Sequence, residues 1–387
     1  MFPEKLNQKL IKREASNSLR HIDKQKSLID FYSNDYLGFA SSETIFDKTH
    51  QVLLEKNIKI NGATGSRLIS GNHDLYREVE SFIANFHNAE KALIFNSGYD
   101  ANVGFFSSVP QRGDVILYDE LSHASIRDGI QLSNAKAYKF KHNDCNQLEA
   151  LLKRHTEQSL EKRSLNGVEV NQVYVVTESI FSMDGDAPNL VKMTQICKKH
   201  NAYLVVDEAH ALGVFGEKGT GLIQELQLEK EVFARIVTFG KGLGCHGAVI
   251  LGSEKLVQYL VNFARSFIYT TGLSPHSIAT IKIAYEHLQF EVIQRLQDNI
   301  KHFKIELERL QLADLFIESN SAIHCCVISG NDKTKAIAIS IQEKGFNIKP
   351  ILSPTVAEGK ERLRFCLHAF DNKKEITKVL EILNTLL

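Results

Sequence analysis

Two short stretches of the 387-residue chain gather groups that could do covalent chemistry. In Val237-Thr238-Phe239-Gly240-Lys241-Gly242-Leu243-Gly244, a lysine stands among glycines directly after an apolar run. Glycines let backbone and ligand approach closely. A lysine buried there loses proton affinity through desolvation, which frees its amine to form a Schiff base. In Val205-Val206-Asp207-Glu208-Ala209-His210, an acid and a histidine three residues apart follow a second apolar run, so both can point into one cleft. Strand ends of this kind are where open α/β sheets place their sites.

Each stretch has competing readings. Asp207–His210 spells the helicase DEAH box, but that requires a Walker A loop and the chain holds no GxxxxGK[ST]. Standing alone, Asp207 could equally be a cap and His210 a satisfied core histidine. Gly242, Gly244 and Gly247 spell GxGxxG, yet they precede a strand-like segment instead of opening a helix, and no strand-end acid follows at dinucleotide spacing. Together, the acid–x–x–His pair and a Thr–x–x–Lys whose lysine lies 31 residues beyond His210 (241 − 210) suit pyridoxal phosphate (PLP). The Asp207 carboxylate would keep the pyridine nitrogen protonated so that the ring accepts electrons. His210 would reach the phenolic oxygen, and Thr238 with backbone N–H groups would hold the phosphate. A second phosphate cradle is offered by Asn96-Ser97-Gly98-Tyr99, where a strand turns into a helix whose N–H groups face an anion.

Hydrophobic patterning supplies the elements that must position these groups. Uninterrupted apolar runs at Ala92–Phe95, Val115–Tyr118, Gln172–Val176, Tyr203–Val206, Ile236–Phe239 and Ala248–Leu251 suit strands buried on both faces of a largely parallel sheet. Residues 4–22 read as a helix with Leu6, Leu10 and Ile11 on one side, and another helix is expected to start at Pro188. Ser253 can cap a helix carrying Leu256, Leu260, Ala264 and Phe267. A long helical pattern from His276 to Leu312 leads out of the sheet. Beyond Asn320 come a strand near Ile323–Ile328, a helix near Lys333–Lys344, strands near Ile348 and Leu363–Leu367, and a last helix with Asn372 and Glu375 as a capping box. The expected organisation is an N-terminal segment (1–45), a large α/β domain (46–285), and a small α+β domain with its inter-domain helix (286–387).

Composition narrows the function classes. With 43% hydrophobic and 24% charged residues the chain can bury a substantial core. Lys plus Arg number 46, as do Asp plus Glu, so no global field recruits nucleic acid or an anionic membrane. The six cysteines show neither CxxC nor metal-ligand spacing, as expected of reduced thiols in a cytoplasmic protein without a metal site. Lys5, Lys9, Lys12, Arg13 and Glu14 interrupt every apolar run near Met1, so no signal peptide is expected. No stretch approaches the roughly 20 apolar residues of a membrane span.

At this point the chain resembles the α-oxoamine synthases of the fold-type I PLP enzymes over nearly its whole length. The matches run in order: Ser33–Gly38, Gly62–Arg67 with Ser70-Gly71, Ser122–Ser125, Phe140–Asp144, Glu178–Asp186, Asp207–His210, Thr238–Lys241, Pro354-Thr355-Val356 and Arg362–Arg364. The resemblance implies the fold-type I transferase architecture, a large mostly parallel sheet domain plus a small C-terminal α+β domain, assembled as a homodimer. It makes Lys241 the Schiff-base lysine and the base, Asp207 the pyridine partner, His210 the phenolic-oxygen contact and His123 the residue stacked on the ring. Ser97, Gly98, Tyr99, Ser182 and Thr238 complete the cofactor set. Thr270 or Thr271 would reach the phosphate from the partner subunit. Arg364 would clamp the amino-acid carboxylate with Asn34 nearby, Thr355 is a further substrate-binding candidate, and Arg67 and Arg20 are candidates for holding a polyanionic CoA. Phe267–Thr271 and Gly244–Ala248 resemble the biotin-pathway branch, which condenses L-alanine with a pimeloyl thioester carried on CoA or an acyl carrier protein. The alternatives are the glycine- and serine-using branches, or a catalytically silent binding protein. Leu352-Ser353 and Ala357 depart from the branch pattern where the acyl chain is expected.

Overall fold

The computed structural model describes residues 2–20, 22, 27–166 and 171–387, with backbone alone at 157–166. The chain forms two compact units, one of residues 34–182 and 187–295, the other of residues 1–33, 183–186 and 296–387.

The larger unit is built on seven strands: β1 (Lys91–Phe95), β2 (Val115–Asp119), β3 (Lys136–Phe140), β4 (Val173–Glu178), β5 (Tyr203–Asp207), β6 (Ala234–Thr238) and β7 (Ala248–Gly252). Their order is β1-β7-β6-β5-β4-β2-β3. All neighbours pair in parallel except β7, which runs antiparallel to both β1 and β6. Side chains alternate along each strand, so Tyr174, Val176 and Val205 join a core with the helix Gly98–Ser108. Val173, Val175, Leu204 and Val206 join a second core with the helix Leu190–Lys199. Asp207 shares the parity of Val205 and therefore faces the first of these layers.

Several boundaries differ from the sequence expectations for local reasons. Strand β3 carries no apolar run because it is an edge strand with four of its five residues exposed. The helix expected at Pro188 begins at Leu190, because the Asn189 side chain caps it by accepting from the Lys192 N–H. The pattern from His276 to Leu312 is two helices, Pro275–Glu286 and Phe290–Arg309. They part where the His287 ring turns back onto the Ile283 carbonyl at 2.7 Å. The N-terminal helix covers Glu4–Ala15 and ends with Asn17 at φ 50° and the Ser18 N–H bonded to the Arg13 carbonyl. The His21 end of the expected 4–22 span lies outside the described residues. At the last helix, Asn372 caps through the Lys374 N–H, one residue earlier than a capping box requires.

The smaller unit holds an antiparallel sheet of β8 (Ile323–Val327), β9 (Lys349–Ile351) and β10 (Arg362–Cys366), ordered β9-β10-β8. Beside it His368 is buried, with Nδ1 3.1 Å from Asp371 Oδ1 and Nε2 3.2 Å from the Ser33 carbonyl. With acceptors at both nitrogens, the ring is held as the doubly protonated donor. Burial pulls its pKa down, but the hydrogen bond and charge of Asp371, helped by Asp30 and the Ser33 carbonyl, lift it above the ordinary 6.5. A raised folded value means the stabilisation is complete below about pH 6.5 and is lost as pH rises through the folded value. Denaturant unfolding is therefore expected to show falling stability above that pH, and His368→Gln should flatten the slope. An unchanged slope in the variant would remove this assignment.

Candidate active site

The carboxylate of Asp207 ends β5 and is nearly buried. Its Oδ1 accepts from the Ala209 N–H at 2.9 Å and its Oδ2 from Asn102 Nδ2 at 2.8 Å. Asn102 reaches it because the helix Gly98–Ser108 lies on the face to which Asp207 points, and Ala101, Phe105 and Phe106 of that helix pack in the same core. That helix is crossed closely by Ala124–Leu132, where a Cβ on Gly129 would sit 2.9 Å from the Asn102 carbonyl oxygen. The close crossing brings Ser125 to Asn102 and His123 to the cap of the second helix.

Lys241 stands in the turn between β6 and β7. The glycines around it serve packing: a Cβ on Gly242 would collide with the Leu212 carbonyl, and one on Gly244 with the Ala40 backbone. Its Nζ lies 2.7 Å from His210 Nε2, and His210 Nδ1 lies 2.6 Å from the Tyr36 hydroxyl. Tyr36 donates on to Asn34 Oδ1 at 3.3 Å. That direction makes His210 Nδ1–H the donor to Tyr36 and leaves Nε2 to accept from Lys241 Nζ.

A helix N-terminus lies in the same unit. A Cβ on Gly98, the first residue of its helix, would meet the Thr238 side chain at 3.5 Å, so the helix N-terminus and Thr238 share one cradle. Asn96 Nδ2 donates to Thr270 Oγ1 at 2.9 Å and to the Thr271 carbonyl at 2.6 Å, which brings both threonines of this same chain alongside the strand end that leads into it. The Ser97 hydroxyl is the helix cap and accepts from the Asp100 N–H, while Tyr99 is turned outward to Asp128 at 2.7 Å.

Electrostatics separates the buried carboxyls. Glu178, the register partner of Asp207 on β4, is pushed up to about 8 by burial and then by the Asp207 charge. It accepts the His123 backbone N–H at 2.6 Å. His123 is lowered from 6.5, mainly by burial, with Asp207 pulling upward and Lys241 downward. It is a neutral imidazole near neutral pH.

The larger unit thus holds Lys241, His210, Asp207, His123, Thr238 and the Ser97–Tyr99 turn. Ser182 is half-buried at the point where the chain leaves this unit. Arg67 is committed differently: its guanidinium grips both oxygens of Glu80 and lies 3.8 Å from the centre of the Tyr76 ring. In the smaller unit, Arg364 is buried on β10 with Nη1 2.9 Å from Cys366 Sγ, and Thr355 is exposed with Arg20 Nη2 3.5 Å from its hydroxyl. Sequence reasoning missed roles for Asn102, Tyr36 and Glu178. The available signal was a polar residue on an otherwise apolar helix face, at Asn102, and an acid closing an apolar strand, at Glu178.

Comparison with known proteins places these motifs in context. The model of the aminotransferase class I and II family matches residues 26–383. An 8-amino-7-oxononanoate synthase from Emericella nidulans is 41% identical over 371 residues, covering 93% of this chain and 89% of that protein. A solved 8-amino-7-oxononanoate synthase from Francisella tularensis superposes with a TM-score of 0.75 at 29% identity, covering 93% of this chain and 98% of that one. A serine palmitoyltransferase from S. paucimobilis with bound PLP–myriocin superposes with a TM-score of 0.86 at 25% identity, covering 99% and 96%. No helix among the described residues is long and apolar enough to cross a membrane.

Proposed function

The chain belongs to the aminotransferase class I and II family, in its α-oxoamine synthase branch, and from that membership we propose that it is a PLP-dependent acyltransferase joining L-alanine to a pimeloyl thioester with loss of CO2. The product would be 8-amino-7-oxononanoate, and the enzyme would work as a homodimer. The observation that carries the chemistry is Lys241 Nζ held 2.7 Å from His210 within the unit that also presents Asp207 and the Gly98–Thr238 cradle.

The residues present fit PLP: an amine for covalent attachment, a buried carboxylate for the ring nitrogen, and a helix N-terminus with hydroxyls for the phosphate. When bound, PLP supplies an electron sink for negative charge developing at the amino-acid α-carbon. Lys241 Nζ would hold the cofactor covalently and, when free, would take the α-proton. The His210–Tyr36–Asn34 chain orients that Nζ. Asp207 would pair with the ring nitrogen and keep it protonated, and His123 would stack on the ring. The resemblance gives Arg364 the amino-acid carboxylate, a task suited to a planar fork.

The smaller unit offers a groove of about 1110 Å³ for an anionic acyl donor. Arg13, Arg20, Lys335 and Lys349 line it beside Leu19, Ile351 and Leu352, and among the described residues that line it none is Asp or Glu. In a chain of zero net charge, that local excess of cations supports a carboxylated acyl chain or a phosphate-bearing carrier. Exposed Phe46, Leu54, Ile60, Leu68, Ile69 and Tyr269 support self-association of the larger unit.

The similarity to serine palmitoyltransferase favours a second reading, with L-serine and a longer acyl thioester. Absorbance titration of the PLP-loaded protein separates the two. A spectral change with L-alanine, and product formation with pimeloyl-CoA or pimeloyl carrier protein, is the expected outcome. A response to L-serine alone, with turnover of long-chain thioesters only, would replace the first reading by the second.

A further inference from the structure

Asn102 carries none of the chemistry above, yet its side-chain nitrogen joins Asp207, which does, to Ser125, the neighbour of His123. The residue is 2% exposed, and Nδ2 donates one hydrogen to Asp207 Oδ2 at 2.8 Å and the other to Ser125 Oγ at 3.1 Å. Rotating the carboxamide would turn its oxygen against the Asp207 carboxylate, so the orientation is determined by charge. In the orientation seen, Asn102 Oδ1 is buried without a hydrogen-bond partner. An orphaned buried acceptor is unfavourable, and it is tolerated here beside two donors that are both used.

The direction of the next bond follows. Because Ser125 Oγ accepts from Asn102, its own hydrogen is free for His123 Nδ1 at 2.7 Å. The Ser125 backbone N–H points at the same nitrogen at 3.3 Å. With two donors facing it, Nδ1 carries no proton, and the neutral ring keeps its hydrogen on Nε2. The His123 backbone is pinned independently by Glu178.

We propose that Asn102 is a positioning residue that ties the Asp207 carboxylate to His123 through Ser125 and holds His123 in the Nε2–H form. The assignment rests on the PLP reading only for what Asp207 and His123 are used for. Asn102 acts through them and need not touch cofactor or substrate. Asn102→Leu keeps the number and branching of side-chain heavy atoms and removes both donors, while Ser125→Ala breaks only the link to His123.

Two measurements test this. The first is the ¹⁵N long-range correlation spectrum of histidine-labelled protein without PLP, with His123 assigned by a His123→Gln variant. The wild type is expected to show the Nε2–H pattern, and Ser125→Ala a mixture of tautomers. The second is PLP titration by absorbance. Asn102→Leu is expected to weaken PLP binding by about ten- to a hundredfold, the effect of losing one hydrogen bond to a charged group, and to shift the pH midpoint of the bound-PLP spectrum. A wild-type His123 in the Nδ1–H form overturns the proposal, as does a folded Asn102→Leu protein with unchanged PLP affinity and midpoint. If Asn102→Leu fails to fold, the Ser125→Ala tautomer result decides. If the wild type takes up no PLP, the functional reading fails, and the tautomer spectra still decide the role of Asn102.

Discussion

Lys241→Ala is expected to eliminate both turnover and the near-visible absorbance of lysine-bound PLP. The amine is asked to do two things, to anchor the cofactor and to remove the α-proton. Losing a positioned acid–base group alone lowers rates by about 10²–10⁴-fold, and losing the covalent anchor adds to that. The surroundings are arranged for this one nitrogen: His210 sits 2.7 Å from it, and glycines at 242 and 244 allow the turn to pack against Leu212 and Ala40. The check is an absorbance spectrum of the purified variant with added PLP, alongside turnover with L-alanine and a pimeloyl thioester. Adding a small primary amine should return part of the rate without restoring the tether, which distinguishes a missing base from a collapsed site. A variant that keeps the absorbance or full turnover would overturn the role of Lys241.

Asp207→Asn should come next in severity. Substitution keeps the shape of the side chain but removes the charge that stabilises a protonated ring nitrogen. Breaking one partner of a buried charge pair costs about 3–5 kcal/mol, which is about 10²–10⁴-fold at 1.4 kcal/mol per tenfold. A second readout comes from Glu178, which is held up to about 8 by burial and by the neighbouring Asp207 charge. Removing that charge lowers the Glu178 value toward its ordinary 4.5, so any limb of the pH–activity profile that reports Glu178 should move to lower pH. Wild-type turnover in Asp207→Asn would show that the carboxylate has no electronic role.

Much of this architecture was legible because buried parallel strands leave a strong trace. Tyr203–Asp207 and Ala234–Thr238 read as apolar runs ending in polar residues, and function concentrates at those ends. Edge strand β3 left no such trace, because only one of its five residues is buried. Helix limits moved where a single side chain intervened, as Asn189 and His287 do. These are hydrogen bonds of about one residue's reach, and hydrophobic periodicity does not report them.

Lys241 among its glycines, the Asp207–His210 spacing and the strand-to-helix turn at Ser97 were all evident in the residues alone, since each depends on neighbours in the chain. The family resemblance added His123 and Arg364 by the same linear route. Only the tertiary structure decided how these groups are wired. Asn102 meets Asp207 across 105 positions of sequence and Tyr36 meets His210 across 174. Both meetings follow from which sheet face a helix covers and how closely two helices cross at Gly129. Arg67 is a further case: no local pattern told that its guanidinium would pair with Glu80. Charge type and spacing are local properties of a chain, whereas the partner that satisfies a charge is chosen by packing, which brings distant residues within hydrogen-bond range.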